Sequence, residues 1–218
     1  KGGVFSYTQG SYFTSANNVF EYSSETAYTI AFWLKVSDYA TRGDIIQATN
    51  GRTLLYSNGT DLSFRSSHQK KTISFNVDNN EKDDWLHIAL VIDQREGQRG
   101  HKFYVNGEQR GSIAQYDEFE TGKPKSIGKL VFGSFSATQI VRNFTGMLDE
   151  VYMFDDALSE TEINQVMNIE NLQDYLKSLS LSENKLEINN INLFPNPVHK
   201  MMTIKGSKMV KAKVYDLS

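Results

Sequence analysis

The 218 residues include 39% apolar and 22% charged side chains, with 13 Phe, 11 Tyr and 2 Trp, which is too aromatic for a disordered chain and too polar for a membrane protein. Lys and Arg number 23 against 26 Asp and Glu, so a net charge of -3 offers no general attraction to nucleic acid or an anionic membrane. With no Cys, disulfide scaffolds, thiolate metal sites and cysteine nucleophiles are excluded, and no run approaches the roughly 18 apolar residues of a membrane span. The length suits one large all-β domain, alone or with a small appendage. Because the chain opens on Lys1 without a signal-peptide pattern, it is expected to be a piece of a longer protein.

Residues 4–155 are rich in short β-branched and aromatic runs punctuated by Asn, Gly, Asp and Ser, the pattern of many short strands. Over 28–36, Tyr28, Ile30, Phe32, Leu34 and Val36 alternate with Thr29, Ala31, Trp33 and Lys35, which predicts a strand buried on at least one face. Weaker strands are predicted at 44–48, 53–57, 62–65 and 72–77. The near-continuous apolar run at 85–93 predicts a central strand covered on both faces, and Trp33 and Trp85 are expected in the core. A hairpin follows, because 102–105 and 108–111 flank Asn106-Gly107, the pair that supplies both positive φ values of a type I′ turn. Further strands are predicted at 129–133 and 149–154. Ser159 and Glu162 then form a capping box, opening a helix whose apolar stripe is Ile163, Val166 and Met167. This spacing predicts an all-β, two-sheet antiparallel jelly roll with one short C-terminal helix.

Composition shifts after Met167, where 168–190 has no strand rhythm and is predicted to be a partly helical linker. Charge segregates as well: 143–176 holds eight acidic residues and no Lys or Arg, whereas 199–215 holds five Lys and no acid, which predicts two solvated faces.

Three segments, YTIAFWLKVSD at 28–38, WLHIALVIDQ with KFYVNGEQ at 85–109, and LVFGSF with FTGMLDEVYMFDDALSETEI at 130–163, together resemble the laminin-G-like, pentraxin-related branch of the concanavalin A-like lectin/glucanase superfamily. The resemblance covers 1–167 and implies the same two-sheet jelly roll. The end of the chain, with Pro195, Asn196, Pro197 and Val198 followed by Val214, Tyr215, Asp216 and Leu217, resembles the opening half of the C-terminal sorting domain read by the type IX secretion machinery of Bacteroidetes. That resemblance implies a bacterial protein sent across the outer membrane, secreted or held at the cell surface. Members of that family continue with further strands, so 191–218 is an incomplete small β-sandwich, expected to be without order, rearranged or docked on a neighbour.

Glucanases of this superfamily carry Glu-x-Asp-x-Glu on one strand, so that alternate carboxylates face one cleft. No such triplet occurs. Glu21 with Glu25 and Glu118 with Glu120 lie in polar surroundings and are expected to be solvated, so the fragment is predicted to be non-catalytic; two carboxylates facing each other about 5–9 Å apart in a cleft would instead indicate a hydrolase. His87 is expected to be a buried, hydrogen-bonded structural residue, and His68, His101 and His199 to lie on the surface. The resemblance also implies a structural calcium ion at Asp149, with carbonyls from the loops at 6–10 and 42–44, although the acidic residue usual in the first strand is replaced by Ser6. Sugar recognition would stack Tyr rings on pyranose faces, which makes Tyr7, Tyr12, Tyr22, Tyr39, Tyr56 and Tyr116, together with Arg65, the candidate carbohydrate-binding residues. The expected partner is a polysaccharide or glycoconjugate; the alternative is a surface protein met through an adhesion or spacer domain.

Overall fold

The computed structural model describes residues 5–7, 12–14, 20–22, 27–39, 42–48, 52–65, 72–77, 81, 84–93, 95, 97–98, 100–113, 125–128, 130–134, 142–168, 202–203 and 213–214. In chain order the strands are β1 (Phe5–Tyr7), β2 (Phe13–Thr14), β3 (Phe20–Tyr22), β4 (Ala27–Val36), β5 (Gly43–Ala48), β6 (Arg52–Asn58), β7 (Asp61–Arg65), β8 (Thr72–Asn76), β9 (Leu86–Asp93), β10 (Gly100–Val105), β11 (Glu108–Ile113), β12 (Lys125–Gly128), β13 (Leu130–Phe132) and β14 (Gly146–Phe154). Helix α1 (Glu160–Met167) follows, then β15 (Met202–Thr203) and β16 (Lys213–Val214).

Two antiparallel sheets make the sandwich. One has the order β11-β10-β9-β4-β14-β16-β15, with β1 also on β14; the other has the order β2-β13-β5-β6-β7-β8, and β3 and β12 form a separate ribbon. The alternation in β4 places Tyr28, Ile30, Phe32, Leu34 and Val36 between the sheets, where they share one core with Ile45, Ile46, Leu55, Leu62 and Phe64 of the facing sheet. Ala31, Ala89, Val91, Tyr104, Tyr152 and Phe154 point the other way and are covered by Leu158, Ile163 and Val166 of α1 and its lead-in. As the sequence predicted, β9 is thus buried on both faces.

The local signals are met. The Ser159 hydroxyl accepts from the Glu162 N–H at 3.3 Å and a Glu162 carboxylate oxygen accepts from the Ser159 N–H at 2.7 Å, completing the capping box. Asn106 (φ 51°) and Gly107 (φ 80°) turn the hairpin as predicted, and Asn164 of α1 donates from Nδ2 to the Gly107 carbonyl at 3.2 Å. The helix lead-in is held by Thr29, whose hydroxyl donates to the Asp156 carbonyl at 2.8 Å and accepts from the Leu158 N–H at 3.0 Å. Beside it Arg95 bridges Asp93 at 2.6 Å and Asp156 at 3.0 Å; the hydrogen bond to Asp93 is the main reason its guanidinium is held more basic than usual.

Three expectations need correction. Strand β14 starts at Gly146, and it bulges where Asp149 and Tyr152 face Trp33 and Ala31 with Glu150 at φ 49°. Trp33 and Trp85 are half-buried and belong to neither core cluster, because Trp33 occupies the outward phase of β4 and Trp85 precedes β9. His101 is buried against the Phe64 ring, with centroids 5.6 Å apart. The described strands of the C-terminal segment dock on the larger sheet: β15 pairs with β16, and β16 pairs with β14 opposite Tyr152 and Met153, beside the Gly146–Leu148 stretch that β1 covers. Residues 169–201, which include the predicted linker beyond Asn168, and 215–218 lie outside the described residues.

Candidate functional site

Where β5 begins, five side chains converge from three parts of the chain. Gly43 faces Ser57 across the β5–β6 pair, and the Ser57 hydroxyl accepts from the Gly43 N–H at 3.3 Å and donates to the Gly43 carbonyl at 3.4 Å. The next residue, Asp44, faces Tyr56, and its N–H donates to the Arg142 carbonyl at 2.8 Å, joining the loop before β14 to the facing sheet. Asp44 is 0% exposed. Burying a carboxylate is tolerable only with charged partners, and two arginines serve Asp44: Arg42 donates from Nε and Nη2 to Oδ1 at 3.4 and 3.3 Å, and Arg142 brings Nε to 3.8 Å from Oδ2. The Arg42 guanidinium also lies 4.2 Å over the Tyr56 ring, a cation–π contact that fixes the ring's orientation. Arg142 has φ 53°, an uncommon backbone state for a residue with a side chain, and the Oδ1 of its neighbour Asn143 is buried without a hydrogen-bond partner among the described residues. The rim thus presents a partly exposed aromatic ring and two partly exposed guanidiniums around one buried anion.

Of the sequence-predicted sugar ligands, Tyr56 is in this cluster, and Arg65 is exposed further along the same outer face, two positions from the Ser63 that pairs with Tyr56. The others are not brought together with it. Tyr12 is 40% exposed beside β2, three strand spacings or about 14 Å from β6, and Tyr39 is half-buried against the core. Tyr7 and Tyr22 are placed by their backbones alone, opposite Gly146 and Lys125. Tyr116, Pro195, Asn196, Pro197, Tyr215 and Asp216 lie outside the described residues. Sequence reasoning missed Asp44, Arg142 and Asn143 as side-chain contributors, since a span of about a hundred residues separates the first from the others.

Asp149 stands opposite Trp33 and accepts the Glu150 N–H on Oδ1 at 2.9 Å, capping the bulge. Burial raises its carboxyl above the ordinary range, and burial together with the charge of Asp149 does the same to Glu150. Residues 42–44 meet Asn143 and Phe144, whereas Asp149 lies three positions beyond Gly146, about 10 Å further along β14. Calcium takes six to eight oxygens, and among the described residues no group of three or more His, Cys, Asp or Glu is placed to hold a metal ion. The site expected at Asp149 draws its other donors from backbone carbonyls, and residues 8–10 of one of the expected donor loops lie outside the described residues.

His87 is 1% exposed with its ring edge-on to Trp33 at 5.3 Å. It is buried as predicted but not hydrogen-bonded through its ring, since neither nitrogen has a partner among the described residues, and burial lowers its pKa to about 4. At neutral pH it is an uncharged packing residue.

The family model described as Concanavalin A-like lectin/glucanases superfamily matches residues 7–164. No match is found among curated proteins. Similar solved structures include an HCR/D mutant (21% identity, TM-score 0.54), of which this chain spans 40% while 74% of this chain is matched. Another is the native heptameric SAP-like pentraxin from Limulus polyphemus (16% identity, covering 78% of this chain and 83% of that one, TM-score 0.52). A third is botulinum neurotoxin type C, whose cell uptake depends on interaction with two ganglioside molecules (16% identity, covering 66% and 35%, TM-score 0.50). At these identities the likeness is one of fold. With its two-sheet topology and a family match over most of its length, the chain belongs to the concanavalin A-like lectin/glucanases superfamily.

Proposed function

We propose that the chain is a non-catalytic, lectin-like module that binds a polysaccharide or glycoconjugate at the rim formed by Arg42, Asp44, Tyr56, Arg142 and Asn143. The observation that carries this is the Tyr56 ring locked beneath Arg42 beside a fixed set of donors and acceptors, the chemistry that takes an apolar sugar face and its hydroxyls together. Membership of a superfamily that includes lectins, and the ganglioside dependence of one protein of similar fold, support it. The protein-docking alternative draws no support from the surface, since Tyr12 is the one large apolar side chain well exposed among the described residues. Retardation of the full chain in gels containing soluble polysaccharides tests the reading: at least one glycan slows the protein and Tyr56→Ala relieves it, whereas free migration in every gel of a broad panel overturns it.

The C-terminal resemblance supports export by the type IX machinery of a bacterium of the Bacteroidetes, with the module delivered outside the cell. In a host that has this machinery, a protein carrying the chain is expected to reach the medium or the cell surface and a version lacking 191–218 to stay inside; equal export of both overturns the assignment.

A further inference from the structure

We infer that Asn58 is a site of spontaneous covalent modification, cyclising onto Gly59 and losing its side-chain amide, while Asn106-Gly107, the same dipeptide in a second hairpin, is held unreactive by the fold. The only co-reactant is water. The Gly59 main-chain nitrogen attacks the Asn58 Cγ, and a C–N bond forms as the bond to the side-chain nitrogen breaks. That nitrogen leaves as ammonia with the proton from Gly59, and a five-membered succinimide remains. Water then opens either of its carbonyls, giving aspartate or isoaspartate. A glycine favours the attack because no Cβ shields its nitrogen.

The two dipeptides differ in what surrounds them. Asn58 closes β6 and pairs with Asp61 across a two-residue turn in which Gly59 has φ 68°. Asn58, Gly59 and Thr60 are all exposed, and a Cβ on Gly59 would meet nothing within 4 Å. The turn is fastened on its far side: Asn76 Nδ2 donates to the Thr60 hydroxyl at 2.9 Å and to Asp61 Oδ1 at 3.0 Å, and the Val77 N–H donates to the Thr60 carbonyl at 3.0 Å. The Asn58 side chain and the Gly59 N–H have no hydrogen-bond partner among the described residues, so Cγ can swing onto the nitrogen with water and base at hand.

Asn106 is fastened instead. Its Oδ1 accepts the His87 N–H at 2.9 Å and its own N–H donates to the His87 carbonyl at 2.8 Å, which holds the side chain against β9. Gly107 is buried, and Asn164 of α1 lies so close that a Cβ there would strike its side-chain amide. Cyclisation at Asn106 must first break these hydrogen bonds in a local opening of the hairpin. The third such dipeptide, Asn50-Gly51, lies outside the described residues. At Asn58 the product acts on the ladder: aspartate puts like charge opposite Asp61, and isoaspartate adds a methylene to the main chain where the β6–β7 register begins.

The test is incubation of the full chain at pH 8, folded and unfolded in guanidinium chloride, with the peptides around both sites followed by mass spectrometry for the one-dalton gain and for isoaspartate. In the folded chain Asn58 is expected to convert at least about tenfold faster than Asn106, and the two rates to converge on unfolding, where no hydrogen bond distinguishes them. Asn58→Gln, whose longer side chain would have to close a slower six-membered ring, is expected to abolish conversion at that position and leave the Asn106 rate unchanged. Aged wild-type chain is expected to unfold at a lower midpoint than fresh chain, and aged Asn58→Gln to keep its own. Equal rates at the two sites in the folded chain would overturn the inference, as would an Asn58 that converts only after unfolding.

Discussion

Two charge clusters in this molecule have opposite stoichiometry. At the rim, two arginines surround one carboxylate, Asp44, that solvent does not reach. At the other, one arginine, Arg95, is gripped by two carboxylates, Asp93 and Asp156, of which Asp156 is half in water. The second is a clasp: its charges are mutually satisfied, its hydrogen bonds are short, and it tethers the lead-in of α1 to the end of β9. The first holds the rim together through a buried anion and leaves cationic groups facing outward. Short, solvent-screened contacts therefore mark the clasp, while longer contacts around a buried charge mark the rim.

The largest expected effect distinguishes the two directly. Asp44→Asn removes the buried anion on which Arg42, Arg142 and the loop before β14 converge, and is expected to cost about 3 kcal/mol or more in urea unfolding. A cost below about 1 kcal/mol would show that the carboxylate is not the keystone of the rim. An intermediate effect separates acid sensitivity from either cluster. His87 is neutral and buried in the folded state with its pKa lowered to about 4, while in the unfolded chain it titrates near 6.5. Between those values the unfolded state binds more protons, so stability falls as pH drops from about 6.5 to about 4, by roughly 2–3 kcal/mol, and this contribution levels off below. His87→Phe is expected to flatten that slope; an unchanged slope in urea midpoints at pH 7, 5.5 and 4 would assign the loss to carboxylates instead. The smallest effect belongs to the clasp, where Arg95→Ala is expected to cost under about 1 kcal/mol because Arg95 and Asp156 are largely in solvent. A loss matching that of Asp44→Asn would erase the contrast.

The regular parts of the fold were legible in the sequence because each is governed by neighbours in the chain. The alternation of β4, the Asn106-Gly107 turn and the Ser159–Glu162 box all involve residues within a few positions of one another, and all three appear as predicted. Trp33 was misassigned although part of its signal was present: it shares the phase of Ala31 and Lys35, opposite the inter-sheet core, and lies outside the cluster that α1 builds over Ala31. For His87 the burial was legible, whereas the absence of ring partners was not, since it depends on what packs across the strands. The candidate site was legible only at Tyr56. Asp44 meets Arg142 and Asn143 through an isolated parallel bridge between an edge loop and the facing sheet, a contact that no local pattern encodes.

The rim's floor is made of backbone. A Cβ on Gly43 would lie 3.0 Å from the Phe144 Cα and 3.2 Å from the Asn143 carbonyl oxygen, and one on Gly146 would press on the Lys35 carbonyl and the Phe144 ring. Side chains cannot be added there without moving the loop, whereas Arg42, Tyr56 and Arg142 stand in partial solvent above it. Variation is thereby constrained at both levels: a side chain added to the floor must displace the loop, and loss of Arg42 or Arg142 leaves the buried Asp44 carboxylate with less of its charge answered.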